Sequence, residues 1–240
     1  MSPKEDQILS KCQICGESDT LQPYSMLSAK LFDHTLLRPE STQTDIERLC
    51  LQAKDIDACS VCVNSCWVPL CLRLLTGTRI KVCSVVGFPL GATSTAAKEF
   101  ETKWAIEQGA QEIDMVMNVG WAKAGAWDEV EAEIAGLARL CGDRATLKVI
   151  LETCLLNDEE IIRACLAAKR AGAGFVKTST GFGSAGATED HIRLMRKMVG
   201  DEMGVKASGG IRTREKAEAM VKAGASRIGS SNTLAILGGT

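Results

Sequence analysis

Short apolar stretches alternate with amphipathic ones from residue 31 to the end, and this alternation narrows the possible folds more than any other feature of the chain. The pattern predicts strands at residues 31–34, 60–64, 80–87, 112–118, 146–153, 174–178, 204–208 and 227–229, with helices between them. In the segment 42–53, Ile46, Leu49, Cys50 and Ala53 recur at i, i+3, i+4, i+7 spacing, which is one face of a helix. Asn157 with Glu160 reads as a capping box ahead of Ile161, Cys165 and Ala168. Thr188 is expected to cap a helix carrying Ile192, Met195 and Val199, and Thr213 one carrying Ala217, Met220 and Val221. Strict strand–helix alternation makes a parallel sheet with helices outside it. Eight such strands in 240 residues predict an α/β fold, a single-domain (β/α)8 TIM barrel. An open doubly wound sheet is the alternative. No G-x-G-x-x-G follows the first strands, which weakens its dinucleotide-binding form.

A short internal repeat favours the barrel. Gly109-Ala110, Gly172-Ala173 and Gly224-Ala225 each end a predicted helix and lead into a strand. The fifth residue after each glycine is Asp114, Lys177 and Gly229, on predicted strands four, six and eight. Alternate strands share a layer inside a barrel, so these positions should meet near the C-terminal mouth. Gly229 would leave a gap through which a ligand reaches the backbone.

Lys177 ends its strand in the loop Thr178-Ser179-Thr180-Gly181, and Lys206 ends the next strand. A buried lysine either finds an anion or loses its proton, and a neutral lysine attacks carbonyls. Two ammonium groups on neighbouring strands repel, which favours the loss of one proton. The pair therefore reads as an imine-forming lysine with a second lysine beside it, or as two structural ion pairs. Lys148 is a rival nucleophile; it shares parity with Glu152 and is expected to pair with it. Asp114 interrupts an apolar run, so it needs a buried partner and could also carry protons. The hydroxyl and carboxylate of Asp33-His34-Thr35 follow the first strand and could touch substrate. Ser208-Gly209-Gly210 and Gly229-Ser230-Ser231 follow the last two strands, with Gly181 nearby, and suit a phosphate. Two histidines and no dense carboxylate set argue against a catalytic metal.

Composition removes other classes. A formal charge of -2 with mixed signs gives no footprint for nucleic acid or an anionic membrane. No apolar run approaches the ~18 residues of a membrane span, and the first residues lack a signal-peptide core. Eleven cysteines, mostly in apolar segments, suit a reducing cytoplasm. Residues 1–28 are polar and aperiodic and read as an extension to a barrel domain at 29–240. Their Cys12 and Cys15 form half of a zinc site or a redox pair, yet no second pair or histidine lies nearby, so the two read as incidental.

Several ordered motifs together resemble the deoxyribose-phosphate aldolases. They are residues 33–39 (Asp-His-Thr-Leu-Leu-Arg-Pro), 61–64 (Val-Cys-Val-Asn), 86–91 (Val-Gly-Phe-Pro-Leu-Gly), 112–118 (Glu-Ile-Asp-Met-Val-Met-Asn), 147–152, 175–181 (Phe-Val-Lys-Thr-Ser-Thr-Gly), 205–213 and 227–231. The resemblance runs from about Leu31 to the end. It implies a metal-independent class I aldolase with no cofactor. Lys177 would form the imine, with Lys206 and Asp114 handling protons. Asp33, Thr35, Cys62, Thr180, Gly181, Ser208, Gly209, Gly210, Gly229, Ser230 and Ser231 would lie at the substrate. The implied reaction is reversible cleavage of 2-deoxy-D-ribose 5-phosphate to acetaldehyde and D-glyceraldehyde 3-phosphate, in a homodimer. Two positions depart from some members: Phe182 stands where they have a lysine, and Asn232 where they have a second serine. Another lysine-dependent phosphosugar aldolase or a transaldolase-like barrel is the runner-up. A non-catalytic sugar-phosphate binder would not need Lys177, Lys206 and Asp114 together.

Overall fold

A computed structural model describes residues 27–238. The predicted extension up to residue 26, with Cys12 and Cys15, lies outside the described residues. Eight parallel strands, β1 (Phe32–Leu36), β2 (Ser60–Val63), β3 (Lys81–Val86), β4 (Glu112–Val116), β5 (Thr146–Ile150), β6 (Phe175–Lys177), β7 (Gly204–Ser208) and β8 (Arg227–Ser230), close into a barrel in chain order. The helices are α1 (Gln43–Ile56), α2 (Val68–Leu74), α3 (Thr95–Glu107), α4 (Val119–Lys123), α5 (Trp127–Cys141), α6 (Asp158–Arg170), α7 (Glu189–Val199), α8 (Arg214–Lys222) and α9 (Thr233–Leu237).

Local chemistry accounts for where these helices start. Thr42 and Asp45 form a capping box before α1, and Asn157 and Glu160 form one before α6. Thr188 and Thr213 cap α7 and α8 through their hydroxyls. The faces expected from periodicity are the buried ones: Ile46, Leu49, Cys50 and Ala53 in α1, and Ile192, Met195 and Val199 in α7. They pack on the outward residues of the strands, and this core begins at Leu27. Most strands are shorter than their apolar runs. The run 146–153 leaves the sheet after Ile150, because Glu152 turns into the left-handed region at φ 54°.

Closure puts β6 beside β7 with Lys177 level with Lys206, and β1 beside β8 with Asp33 level with Gly229. The inward residues of β2 and β3 make a small apolar wall of Cys62, Cys83 and Val85, joined by Leu37 and Phe88.

Candidate active site

The barrel interior holds a charge cluster built from inward positions two residues apart. On β4 these are Glu112 and Asp114, and on β8 Arg227 precedes Gly229. Asp114 is the hub. Its Oδ2 accepts from Lys177 Nζ at 2.8 Å and from Lys206 Nζ at 2.7 Å, and its Oδ1 accepts from Lys148 Nζ at 2.7 Å. Lys206 also donates to Asp33. Lys148 reaches Glu112 at 2.7 Å and Asp33 at 3.6 Å. Arg227 donates to Asp33 at 2.6 Å and to Glu112 at 3.1 Å, and its guanidinium stands 5.3 Å over the Phe175 ring.

The buried cations Lys148, Lys177, Lys206 and Arg227 therefore face the buried carboxylates Asp33, Glu112 and Asp114. The cations outnumber the carboxylates, and support is shared unequally. Lys148 touches all of the carboxylates, and Lys206 and Arg227 touch a pair each. Lys177 touches Asp114 alone and is the lysine that lines the cavity above.

Burial alone would raise the Asp114 carboxyl, but Lys148, Lys177 and Lys206 outweigh it and hold it well below the usual carboxylate range. Asp33 shows the same balance against Lys206, Lys148 and Arg227, and is also lowered. Burial pushes Lys206 down, yet Asp114 and Asp33 reverse the direction and hold it above the usual lysine value. The repulsion anticipated between two lysines is thus outweighed by carboxylates at Lys206. Lys148 is likewise raised, with Asp114 the main carboxylate acting against burial.

Above the cluster opens a cavity of about 590 Å³. It is lined by Thr35, Lys177, Thr180, Gly181, Ser208, Gly209, Gly210, Gly229, Ser230 and Ser231 among the residues expected at the substrate, together with Phe182, Arg212 and the α1 side of the mouth. Asp33, Cys62, Asp114 and Lys206 lie beneath it rather than in its lining. The turns of the mouth are stitched to one another. Ser208 Oγ donates to the Ser179 carbonyl at 2.5 Å, Thr178 Oγ1 to the Ser208 carbonyl at 3.0 Å, and Ser230 Oγ to the Ile211 carbonyl at 2.8 Å. Gly209 and Gly210 have φ of 81° and 73°, which glycine adopts without a steric penalty.

One expectation needs correction. Lys148 does not pair with Glu152; its partners are Asp114, Glu112 and Asp33, because Asp114 lies level with it on the neighbouring strand. Gly229 lines the cavity as expected, and its missing side chain also makes room for Lys206: a Cβ there would stand 3.0 Å from Lys206 Cε. Sequence reasoning also missed Glu112 and Arg227, although each precedes an inward residue by two positions, the period of a strand face.

Among the described residues, Cys62, Cys83 and Asp114 are the group with metal-ligand spacing, their ligand atoms lying within 4.8 Å of one another. The site is a poor match for a divalent ion. Asp114 already accepts from three ammonium groups, and Lys148 Nζ is 3.3 Å from Cys83 Sγ.

Fold and site define a barrel enzyme with a lysine-centred site at the C-terminal mouth. The sequence profile of the DeoC/LacD family of aldolases matches residues 27–237. A deoxyribose-phosphate aldolase of Clostridium novyi is 53% identical over 211 residues, covering 88% of this chain and 95% of that protein. One from Streptococcus mutans is 55% identical over 207 residues, covering 86% and 94%. Among solved structures, the aldolase QR15 superposes with a TM-score of 0.83 at 40% identity, covering 88% of this chain and 94% of its own. A tetrameric deoxyribose phosphate aldolase from Aeropyrum pernix superposes with a TM-score of 0.82 at 33% identity, covering 88% and 89%. The chain belongs to the DeoC/LacD aldolase family, and it is a lyase.

Proposed function

We propose that this aldolase reversibly cleaves 2-deoxy-D-ribose 5-phosphate to D-glyceraldehyde 3-phosphate and acetaldehyde through an imine on Lys177. The observation that carries the reading is that Lys177 alone of the clustered lysines faces the cavity, with a single carboxylate partner. The unprotonated Lys177 amine adds to the C1 carbonyl of the open-chain sugar, and water leaves to give the protonated imine. Loss of the C3 hydroxyl proton lets the C2–C3 bond break. Its electrons pass into the iminium to give an enamine, and glyceraldehyde 3-phosphate departs. The enamine takes a proton at C2, and water then releases acetaldehyde and restores the amine.

Asp114 Oδ2 touches both Lys177 and Lys206, so protons leaving or entering at Lys177 have a bonded path into the cluster. In the resting enzyme Asp114 is the acceptor and Lys206 the donor. The glycine–serine turns would take the phosphate. No metal enters this reading. A homodimer in the cytoplasm is the assembly and location it carries, with residues 29–240 forming the catalytic domain. No helix among the described residues is long and apolar enough to cross a membrane.

Borohydride reduction with acetaldehyde tests the chemistry. A trapped adduct is expected on Lys177, Lys177→Ala should lose both trapping and turnover, and chelators should leave activity unchanged. An adduct on Lys148 or Lys206 would sink the assignment.

A further inference from the structure

Glu152 is a buried carboxylate at the mouth that the chemistry above leaves unused. Its φ of 54° lies in the left-handed region, which side-chain-bearing residues enter rarely. The other such residue among those described, Asp57, ends α1 and is exposed, an ordinary place for that conformation. Glu152 instead precedes a short 3-10 turn (Thr153–Leu155) that its side chain does not cap, and it is buried, with 5% of its surface accessible.

The turn at Glu152 has a geometric consequence. Leu151 N–H donates to the Lys177 carbonyl at 2.9 Å, and Thr153 N–H to the Thr178 carbonyl at 2.9 Å. Donors separated by one residue thus meet carbonyls of consecutive residues. Glu152 absorbs the extra residue on its side of the ladder, and its side chain meets the loop after β6. There its carboxylate accepts from the Thr180 hydroxyl and, at 3.3 Å, from the Thr180 N–H. Thr180 Oγ1 in turn accepts from Phe182 N–H at 3.0 Å, so the hydroxyl is committed both as donor and as acceptor. A Cβ at Gly183 would stand 3.3 Å from the Glu152 carboxylate, and glycine there lets the loop lie against it.

Thr180, Gly181 and Phe182 line the cavity, while Glu152 stands behind them. A carboxylate beside a phosphate would repel it unless its charge were turned away and bonded, and Thr180 does both. A residue needed only to turn the backbone would be better served by glycine.

We propose that Glu152 is a positioning residue for the phosphate end of the site: its carboxylate fixes Thr180, and with it the wall formed by residues 180–182 beside the Gly209 turn. This rests on the deoxyribose 5-phosphate reading given above. It predicts that loss of the clamp weakens capture of the phosphorylated substrate more than it slows the bond-breaking step.

The test compares Glu152→Gln, Glu152→Gly, Thr180→Val and the double variant Glu152→Gln/Thr180→Val in the full-length enzyme. Glu152→Gln should raise KM for deoxyribose 5-phosphate roughly ten- to a hundredfold, the scale of a charge-assisted hydrogen bond, with a smaller change in kcat. KM for unphosphorylated deoxyribose should stay within about twofold, since that substrate does not use the wall. Thr180→Val should act in the same direction, and the double variant should be no worse than the weaker-binding single, because both remove one interaction. Glu152→Gly separates the clamp from the backbone: glycine suits the turn, so the variant should melt close to wild type yet show the raised KM. An unmoved KM, equal losses on both substrates, or fully additive effects would overturn the role of Glu152. A wild-type enzyme that traps no acetaldehyde and cleaves no deoxyribose 5-phosphate would instead overturn the proposed function.

Discussion

The floor of the cavity is held by charge carried within strands, while its mouth is held mainly by small side chains at strand ends and on loops. Beneath Lys177, long side chains from β1, β4, β5, β7 and β8 meet in one ion network, and nearly every atom of it is shut away from solvent. Around the mouth, hydroxyls of Thr178, Ser208 and Ser230 tie neighbouring strand ends and loops together through backbone carbonyls. The floor must keep protons and electrons in register, so it is rigid and its charges are interdependent. The mouth must admit a substrate and release two products, and apart from the Glu152 carboxylate on Thr180 its ties are neutral bonds that can each be lost alone. Damage should therefore spread across the floor and stay local at the mouth.

The largest effect should come from the hub of the floor. Asp114→Asn preserves shape but leaves Lys148, Lys177, Lys206 and Arg227 facing only Asp33 and Glu112. Removing one partner of a buried ion network costs about 3–5 kcal/mol. Loss of an acid–base group should slow turnover by about 10²- to 10⁴-fold. Solvent exchange of the acetaldehyde methyl protons, followed by NMR in deuterated water, should slow with it. Wild-type exchange in a folded variant would reduce Asp114 to a structural partner of the lysines. The acid limb of stability gives an independent reading. Asp114 is lowered in the folded protein, so its contribution is complete above the unfolded carboxylate value near ~3.9 and is lost as pH falls toward its lower folded value. The variant lacks that loss, so its stability should fall less steeply than that of the wild type below about pH 4.

A smaller and more local effect is expected at the mouth. Gly210 has φ 73°, and a Cβ there would meet no atom within 4 Å. Gly210→Ala therefore adds backbone strain of roughly 1–2 kcal/mol without a clash. If the turn takes the phosphate, KM for deoxyribose 5-phosphate should rise about tenfold, with trapping of acetaldehyde on Lys177 unchanged. Gly209 is a less clean probe, since a Cβ there would press on Gly186 at 3.0 Å and so disturb the loop itself. Equal loss on phosphorylated and unphosphorylated substrates would mean that the turn shapes the barrel, and the contrast between floor and mouth would weaken.

The same contrast explains what the sequence could disclose. Strand parity and helix faces follow from periods of two and 3.6, so the barrel, the buried stripe of α1 and the inward placing of Asp114 and Lys177 were legible. The meeting of Lys177 with Lys206 needed only that β6 and β7 be neighbours, which chain order in a barrel supplies. The partners of Lys148 depend on register across β4 and β5, and periodicity along one strand does not carry that information. Glu152 escaped because alternation ends where the backbone turns left-handed, and a same-strand pairing rule applied there selects the wrong partner. Gly229 lines the cavity as read, but that its missing side chain also makes room for Lys206 of β7 follows only from the closed barrel.

The smallest effect concerns the chain before the barrel. The barrel closes β1 against β8 from Phe32 onward. Leu27 itself belongs to the core at 8% exposure, and Ser28 accepts from Lys30 N–H at 3.2 Å to start the turn that leads into β1. A truncated chain should therefore begin at Met26, so that Leu27 and Ser28 are kept. Its kcat and KM should match the full chain within about twofold, the range expected when no transition-state contact is lost. Its thermal midpoint should move little, because the closed barrel and its core from Leu27 onward are kept. Zinc content measured on the intact chain should be well below one ion per chain, since Cys12 and Cys15 are only half of a tetrahedral set. A raised KM for the phosphorylated substrate in the truncated chain, with kcat unchanged, would add residues 1–26 to the mouth and show that the mouth is not built by the loops alone.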